Sequence, residues 1–237
     1  MKIAIFIYGE FREFDTVIKY WDFLEKFDND IYLSTWDYSL QINNKLGIRR
    51  ERIITDEMIK SVLPNSKYSI LKESDYFEDY QNISIKNRAW RVSMHWKNCL
   101  RMMKEFGKEY DFIMLTRTDN YTIFDLTEEK LCKLNRVDTI YGLQNVYLYK
   151  PKSFFVQDMF FLGDSNIISN FIDTLPLKLS SLHNGLSEHI INSNLYVERI
   201  DCINITPYRP NCLNKNFDIN FETINDKNLE WHSTEKD

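Results

Sequence analysis

The start of the chain contains a continuous apolar run, a segment with helical spacing and a second, short strand-like segment. Residues 2–8 (KIAIFIY) are a β-branched and aromatic run that ends at Gly9, which predicts a strand buried on both faces. Residues 14–24 place apolar side chains three and four positions apart, which predicts an amphipathic helix. Residues 30–35 (DIYLST) predict a second strand. Together the segments predict a βαβ unit with two parallel strands.

A long helix and a third buried strand are predicted in the middle of the chain. Residues 87–106 carry an apolar stripe at helical spacing, and Gly107 follows where a helix-ending glycine belongs. Residues 110–116 (YDFIMLT) then predict a buried strand. The polar, mixed residues 36–86 predict mostly loop, with a short helix at 55–62.

The second half of the chain predicts shorter elements. Strands are expected at 139–143, at 145–149, at 158–162 before Gly163, and at 196–205. Helices are expected from Ser165 or Asn166 to 173, and from Ser187 to about 195. These elements predict an α/β fold with a mixed, mostly parallel central sheet and flanking helices.

Composition favours one globular domain over residues 1–237. The chain has 237 residues, 43% of them hydrophobic and 27% charged, which provides apolar area for one sizeable α/β core and a normal charged surface. The net charge is −5 and no long Lys/Arg cluster occurs, so a nucleic-acid polymer is disfavoured as a partner.

The cysteines and the N-terminus bear on the compartment. The four cysteines show no CxxC or zinc-finger spacing, which favours free thiols in a reducing compartment. The apolar run at the N-terminus is too short for a signal peptide, and no stretch approaches the roughly 18 apolar residues of a membrane span. We therefore expect a cytoplasmic protein without a transmembrane segment.

Polar residues just past the parallel strands are candidates for a ligand site, because open α/β sheets bind ligands at the carboxyl ends of their strands. Gly9 allows a tight turn after the first strand, and Arg12 is a bidentate donor for phosphate. The alternative is a strand-ending glycine beside a solvated arginine. Tyr8 at the end of the first strand and Trp36 after the second are further candidates for a nucleotide site.

A polar cluster ends the third strand. Arg117 and Asp119 are separated by one residue, and Asn120 adds an amide that can hold a ribose or sugar hydroxyl. A carboxylate at this position is suited to a hard divalent cation that also binds a diphosphate. The alternative is an Arg/Asp pair on the surface.

Two carboxylates in the second half are candidate general bases. Glu188 is expected at the start of a helix, where favourable interaction with the helix dipole is an equal alternative, and Asp158 precedes an aromatic strand. Lys97 points either to the cleft or to water. The four histidines show no HxxxH or HxH spacing, so no zinc site is predicted, and His232 is at most a remote metal or phosphate ligand.

Taken in order, these segments resemble bacterial and viral glycosyltransferase-like proteins of GT-A architecture. The matching segments span most of the chain and are GEFR at 9–12, DIYLSTWD at 30–37, YDFIMLTRTDN at 110–120, QDMFFLGDSN at 157–166, LSEHII at 186–191 and ITPYRP at 205–210. The resemblance implies a nucleotide-sugar donor, a glycan or glycolipid acceptor, a nucleotide-binding half at 1–120 and an acceptor half at 121–237.

The resemblance also implies roles for individual residues. Gly9 and Arg12 would contact the nucleotide, and 117–119 takes the place of the family's DxD motif, which binds Mn²⁺ or Mg²⁺ and the donor diphosphate. Here Arg117 replaces the first Asp, so Asp119 is the one remaining carboxylate ligand. An arginine at this position can itself neutralise the leaving diphosphate. Glu188 is the first choice for the base, and His232 is a further possible metal ligand.

Two other functions remain open at this point. A sugar nucleotidyltransferase shares the architecture, but it needs a glycine-rich basic loop after the first strand, and GEFR has one glycine and no lysine. A catalytically inactive binding or scaffold module is favoured by the substitution at Arg117.

Overall fold

The computed structural model describes residues 1–12, 14–43, 48–76, 89–124, 126–134, 137–145, 155–177, 179, 182–199 and 203–207. Its strands, numbered in chain order, are β1 Lys2–Tyr8, β2 Asp28–Trp36, β3 Tyr38–Asn43, β4 Ile48–Ile53, β5 Lys67–Leu71, β6 Phe112–Arg117, β7 Asn120–Phe124, β8 Thr139–Asn145, β9 Phe155–Asp164, β10 Tyr196–Arg199 and β11 Ile203–Pro207. Its α-helices are α1 Phe14–Val17, α2 Phe23–Lys26, α3 Asp56–Val62, α4 Ala89–Phe106, α5 Glu128–Lys133, α6 Ser165–Thr174 and α7 Leu182–Asn192.

Seven of these strands form the central sheet, in the order β10-β8-β9-β6-β1-β2-β5. All neighbours are parallel except β9, which is antiparallel to both β6 and β8. The predicted α/β fold with a mixed, mostly parallel sheet is thereby confirmed. The chain builds outward from β1 through β2 to β5 and then returns to the other side of β1 with β6. The strand order therefore reverses between β1 and β6.

The sheet is buried on both faces because successive residues of its strands point to opposite sides. Ile3, Ile5 and Ile7 of β1 pack in one core cluster with residues of α1 and α2. Ala4 and Phe6 pack in a second cluster with α4, α6 and α7. This two-sided burial explains why β1 and β6 appear in the sequence as continuous apolar runs.

The long helix of the middle region is confirmed over its described residues. α4 runs from Ala89 to Phe106 and buries Trp96 and Cys99 against the sheet. Gly107 ends it with φ at 67°, and its amide donates to the carbonyl oxygen of Met103 at 3.3 Å. The helix crosses back over the sheet and positions β6 beside β1.

The expectation of mostly loop between residues 36 and 86 is wrong for its described part. β3 and β4 form an antiparallel hairpin, and β5 adds a parallel strand to the edge of the sheet beside β2. The hairpin is a separate two-stranded sheet held by main-chain hydrogen bonds. β3 (YSLQIN) does alternate apolar and polar residues, a strand signal that the prediction of loop overlooked, whereas β4 (IRRERI) has polar residues between two isoleucines. The short helix is confirmed as α3, with the hydroxyl of Thr55 accepting from the amide of Met58.

The expected helix over residues 14–24 is interrupted. α1, a 3₁₀ turn over Ile18–Tyr20 and α2 replace a continuous helix. Trp21 leaves the helical region at φ −92° and ψ 64°, and its indole donates to the carbonyl oxygen of Asn120 at 2.9 Å. The spacing predicted the buried face correctly, but this tertiary hydrogen bond ends the helix.

Several boundaries differ in the second half. β9 continues through Gly163 to Asp164, and the carboxylate of Asp164 caps α6 in place of Ser165 or Asn166. The strand expected at 196–205 is divided into β10, in the main sheet, and β11, which pairs with β7. The strand expected at 145–149 lies outside the described residues except Asn145, which ends β8.

α7 begins at Leu182, so the expected start at Ser187 is wrong. Asn184 and Gly185 predict a turn in isolation. Gly185 instead faces Leu179 closely enough that an added Cβ would lie 2.8 Å from the Leu179 Cβ. Gly185 therefore allows α7 to pack closely against Leu179. None of the described helices is both long and apolar enough to span a bilayer.

Candidate functional site

The polar residues predicted at separate strand ends meet at one edge of the sheet. β1 and β6 are parallel neighbours that pair Tyr8 with Arg117 at their carboxyl ends. β9 runs in the opposite direction, so Asp158 in its first half lies at the same edge. Ligand crevices of open α/β sheets lie where the strand order reverses, as it does between β1 and β6. The sheet topology therefore positions this site.

Arg117 is fixed between two carboxylates at the centre of the site. Its Nε donates to Oδ1 of Asp119 and its Nη2 donates to Oδ2 of Asp119, both at 2.8 Å. Its Nη1 donates to Oδ2 of Asp158 at 3.3 Å. The planar guanidinium matches a carboxylate in this two-bonded geometry, which gives both strength and a defined orientation.

Arg12 reaches the same carboxylate from the loop after β1. Its Nη1 donates to Oδ2 of Asp119 at 2.7 Å, and its Nε donates to Glu10 at 3.3 Å. Glu10 also lies 3.7 Å from Nη1 of Arg91, in the first turn of α4. We call this set the arginine–carboxylate chain, which consists in order of contact of Arg91, Glu10, Arg12, Asp119, Arg117 and Asp158. Its three positive and three negative groups balance.

The electrostatics of the chain keep its central groups charged. Burial alone would raise the pKa of Asp119, but the charges and hydrogen bonds of Arg117 and the charge of Arg12 lower the pKa below its usual value. Burial likewise opposes the charge of Arg117, yet Asp119 and Asp158 raise its pKa above the usual arginine value. The ion pair is therefore formed throughout the physiological pH range.

The loop that carries Arg12 is held in place by backbone contacts. Gly9 has φ at 111°, a conformation that disfavours side chains, and its amide donates to the carbonyl oxygen of Ser34 at 3.2 Å. The amide of Thr118 donates to the carbonyl oxygen of Tyr8 at 3.0 Å, and the Thr118 hydroxyl donates to that of Glu10. These contacts join the ends of β1 and β6.

The hairpin after β2 supports the same loop. Arg52 of β4 donates to the carbonyl oxygen of Arg12 at 3.0 Å and pairs with Asp15 through two hydrogen bonds of 2.8 and 3.2 Å. Its guanidinium also lies 6.0 Å from the ring centroid of Phe11. Arg52 thus braces the loop from a strand that the sequence did not predict.

Two predicted ligand-binding residues have structural contacts of their own. Tyr8 is buried, and its hydroxyl donates to the carbonyl oxygen of Asp158, which ties β1 to β9. The side-chain amide of Asn120 donates to the carbonyl oxygen of Met159 at 2.5 Å and to the hydroxyl of Thr116 at 3.3 Å. Both side chains therefore hold the strand ends that present the arginine–carboxylate chain.

Trp36 lies beside the chain in an aromatic group. Its ring centroid is 4.6 Å from that of His95 and 5.9 Å from that of Trp90, and the guanidinium of Arg91 lies 5.9 Å from it. Nδ1 of His95 is hydrogen-bonded to the hydroxyl of Ser34 at 2.8 Å. Burial, and then the charge of Arg91, lower the pKa of His95 to about 3, so the imidazole is neutral.

The structure does not bring Lys97 or Glu188 to the chain. Nζ of Lys97 donates to the carbonyl oxygen of Asp173 at 2.9 Å, in a cleft between α4 and α6. Glu188 is exposed in the second half of α7, which leads into the start of β10 at the opposite, amino edge of the sheet. His232 lies outside the described residues.

Sequence reasoning missed four residues of the site: Glu10, Arg52, Arg91 and His95. Glu10 lies inside the GEFR segment, so its position next to Arg12 was the available signal. Arg91 and His95 are four residues apart and share one helix face, but only the packing of α4 on β2 shows which face. Nothing in the sequence signals the contact of Arg52.

The donor set at this edge does not fit a hard divalent cation as the side chains are placed. Both carboxylate oxygens of Asp119 accept hydrogen bonds from guanidinium groups, and Oδ2 of Asp158 does as well. Such a cation needs several free oxygen ligands. Within the described ranges, no group of three or more His, Cys, Asp or Glu residues is placed to hold a metal ion.

Comparison with known proteins adds no assignment. No protein-family model and no curated protein matches the chain.

Proposed function

We propose that the protein transfers a sugar from a nucleotide-sugar donor to a hydroxyl acceptor, on a fold of the GT-A type. The observation that carries the proposal is the convergence of Arg12, Arg117 and Asp158 at the strand-order reversal between β1 and β6. Counted along the chain within the sheet, β5, β2, β1 and β6 lie in the order 3-2-1-4, with which doubly wound nucleotide-binding folds also begin.

The arginines suit the chemistry of the leaving group. In glycosyl transfer the bond between the sugar and the diphosphate breaks, and the diphosphate leaves with the electron pair. Negative charge therefore grows on the phosphate oxygens in the transition state. Arg12 and Arg117 are already oriented by Asp119, so they stabilise this charge without reorganisation during the reaction.

Asp158 is our candidate for the general base. The acceptor oxygen forms the new bond to the sugar, and its proton passes to a carboxylate within hydrogen-bond reach. Asp158 lies at the arginine–carboxylate chain and is held by Arg117 through a single 3.3 Å hydrogen bond. Glu188, the first choice from the sequence, lies toward the other edge of the sheet.

The first experiment is thermal stabilisation by UDP, GDP, CDP, CMP and TDP, each with Mn²⁺ and with chelator. A ligand at one hundred times its Kd adds about 2.7 kcal/mol to the free energy of unfolding, which is measurable as a rise in Tm. One nucleotide that raises Tm identifies the donor class. If none does under either condition, the proposed function is wrong.

A second experiment assigns the base. With the nucleotide-sugar of that class, turnover is compared for the wild type, Asp158→Asn and Glu188→Gln. We expect Asp158→Asn to lower kcat by about 10² to 10⁴ and Glu188→Gln to leave it unchanged. The reverse pattern would restore Glu188 as the base. Nucleotide binding with no turnover on any acceptor would favour the inactive binding module.

A further inference from the structure

We propose that Arg12 and Arg117 serve as the cationic group of the donor site and bind the diphosphate without a divalent cation, while Asp119 positions both guanidinium groups. This inference rests on the proposed function, because it concerns the same diphosphate. It goes further by specifying the cofactor requirement of the site and by giving Asp119 a role other than that of a metal ligand.

The shared oxygen of Asp119 sets the geometry. Oδ2 accepts from Nη1 of Arg12 at 2.7 Å and from Nη2 of Arg117 at 2.8 Å. Because both nitrogens touch one oxygen, they cannot be more than about 6 Å apart. Two guanidinium groups at this separation can each donate to one of two adjacent phosphates.

Both arginines retain donors for a ligand. A guanidinium has five N–H donors. Within the described part of the chain, Arg12 uses two of them, on Asp119 and Glu10, and Arg117 uses three, on Asp119 and Asp158. The side chains of Arg12 and Arg117 are 34% and 27% exposed, so both are partly open to solvent at the edge of the sheet.

Hydrogen-bond occupancy argues for an anion and against a cation at this place. Asp119 is 5% exposed and is neutralised by the two arginines that it contacts. A divalent cation at Asp119 would have to displace hydrogen bonds from both guanidinium groups and would then lie beside two positive charges. An incoming diphosphate needs no such displacement, because it adds negative charge next to donors that are still available.

Asp119 acts through the arginines. Without its carboxylate, two positive side chains would face each other with no shared partner, and both would lose the orientation that makes them complementary to a diphosphate. Asp119 is therefore a positioning residue.

The test uses inorganic pyrophosphate as the probe and calorimetric titration in the presence of EDTA. We expect the wild type to bind in EDTA and Arg12→Gln to bind roughly ten- to a hundredfold more weakly, as for the loss of a charged hydrogen bond. Arg12→Lys, which keeps the charge but not the planar fork, is expected to fall between them. Arg101→Gln is the matched control, because Arg101 is an exposed arginine on α4 that pairs with Glu105.

The positioning role of Asp119 has its own readout. We expect Asp119→Asn to weaken pyrophosphate binding in EDTA at least tenfold, and we expect an added Arg12→Gln change to weaken it little further, since the two act as a unit. Additive losses in the double variant would overturn the positioning role. Thermal melting of each variant checks that it is folded.

Three results would overturn the inference, each in a distinguishable way. Binding that appears only with Mn²⁺ or Mg²⁺ and disappears in EDTA would show that the anion binds only together with a divalent cation. Equal affinities of Arg12→Gln and Arg101→Gln would show that Arg12 does not contact the anion. Failure of pyrophosphate and of all the nucleotides to bind, with or without metal, would refute the proposed function itself.

Discussion

The two edges of the central sheet both carry charged clusters, but the clusters are built differently. At the amino edge, the carboxylate of Asp30 accepts from Lys2 at 3.1 Å, from Lys108 at 3.0 Å and from the hydroxyl of Tyr110 at 2.8 Å. Tyr110 is in turn hydrogen-bonded to the hydroxyl of Tyr32 at 2.6 Å. Here one acceptor is surrounded by donors.

At the carboxyl edge two cations likewise share one carboxylate, because Arg12 and Arg117 both bind Asp119. The cations differ, since each guanidinium is a planar fork of five N–H donors and both arginines retain donors beyond those used in the cluster. In open α/β sheets, ligands bind outside the carboxyl ends of the strands at the point where the strand order reverses, and the arginine cluster lies at that edge. This difference supports our proposal that the carboxyl-edge cluster binds an anion, whereas we expect the amino-edge cluster to stabilise the fold.

The largest effect is expected where the carboxyl-edge cluster is most buried. Arg117→Gln leaves the buried carboxylates of Asp119 and Asp158 without their central partner. Breaking a buried ion pair on one side costs about 3 to 5 kcal/mol, and Arg12 still contacts Asp119, so we expect about 3 kcal/mol. Urea denaturation measures the change. The double variant Arg117→Gln/Asp119→Asn should recover part of the loss, and no recovery would argue against the buried pair.

Acid should affect the carboxyl edge before the amino edge. The folded pKa of His95 is about 3, whereas an unfolded histidine titrates near 6.5, so between these values the unfolded state binds one more proton. Stability is therefore lost as pH falls below about 6.5, by roughly 1.4 kcal/mol per pH unit. Urea denaturation measures the free energy of unfolding at pH 7.5 and at pH 4.5. Between these two values we expect the wild type to lose about 2 to 3 kcal/mol more than His95→Asn does. Parallel curves for the two proteins would contradict a buried neutral imidazole.

The sequence alone predicted the strands that are buried on both faces of the sheet. β1 and β6 lie inside a sheet covered on both faces, so their apolar runs are continuous, and the candidate site residues follow at their polar ends. The sequence pattern did not predict β5, because β5 is a partly exposed strand at the edge of the sheet. The interruption at Trp21 depends on a hydrogen bond to Asn120, 99 residues away, which no local pattern contains.

The sequence predicted the positions of the candidate site residues but not the contacts between them. Arg12, Arg117, Asp119 and Asp158 follow from strand ends and topology. Their pairing does not, because Arg12 and Asp119 are 107 residues apart and meet only through the register of β1 with β6. Periodicity left the direction of Lys97 open, and α6 provides its partner.

A substitution at the amino edge should lower the stability of the fold without changing the affinity for pyrophosphate. Asp30→Asn removes the charged acceptor of Lys2 and Lys108, whose bridges are partly exposed, so we expect a loss of about 1 to 2 kcal/mol at pH 7 after allowance for screening. Burial would raise the pKa of Asp30, but Tyr110, Lys108 and Lys2 lower it. The loss relative to wild type should therefore shrink as pH falls through that lowered pKa. Pyrophosphate affinity should be unchanged; a fall as large as that of Arg12→Gln would mean that the two edges are coupled.

The smallest change in stability is expected for an ion pair that lies away from both edges of the sheet. Arg101 and Glu105 are four residues apart on α4, and Nη1 of Arg101 lies 2.5 Å from Oε1 of Glu105. More than half of each side chain is exposed. Exposed pairs of this kind contribute about 0.3 to 0.5 kcal/mol, and Nη2 of Arg101 also donates to Oδ1 of Asn98 at 2.9 Å. Arg101→Gln should therefore lower the free energy of unfolding by about 1 kcal/mol or less in urea denaturation. The contribution of the ion pair should weaken in 1 M salt, where the Debye length is about 3 Å. A loss comparable to that of Arg117→Gln would mean that arginine charge in general, and not the buried fork on Asp119, stabilises the fold.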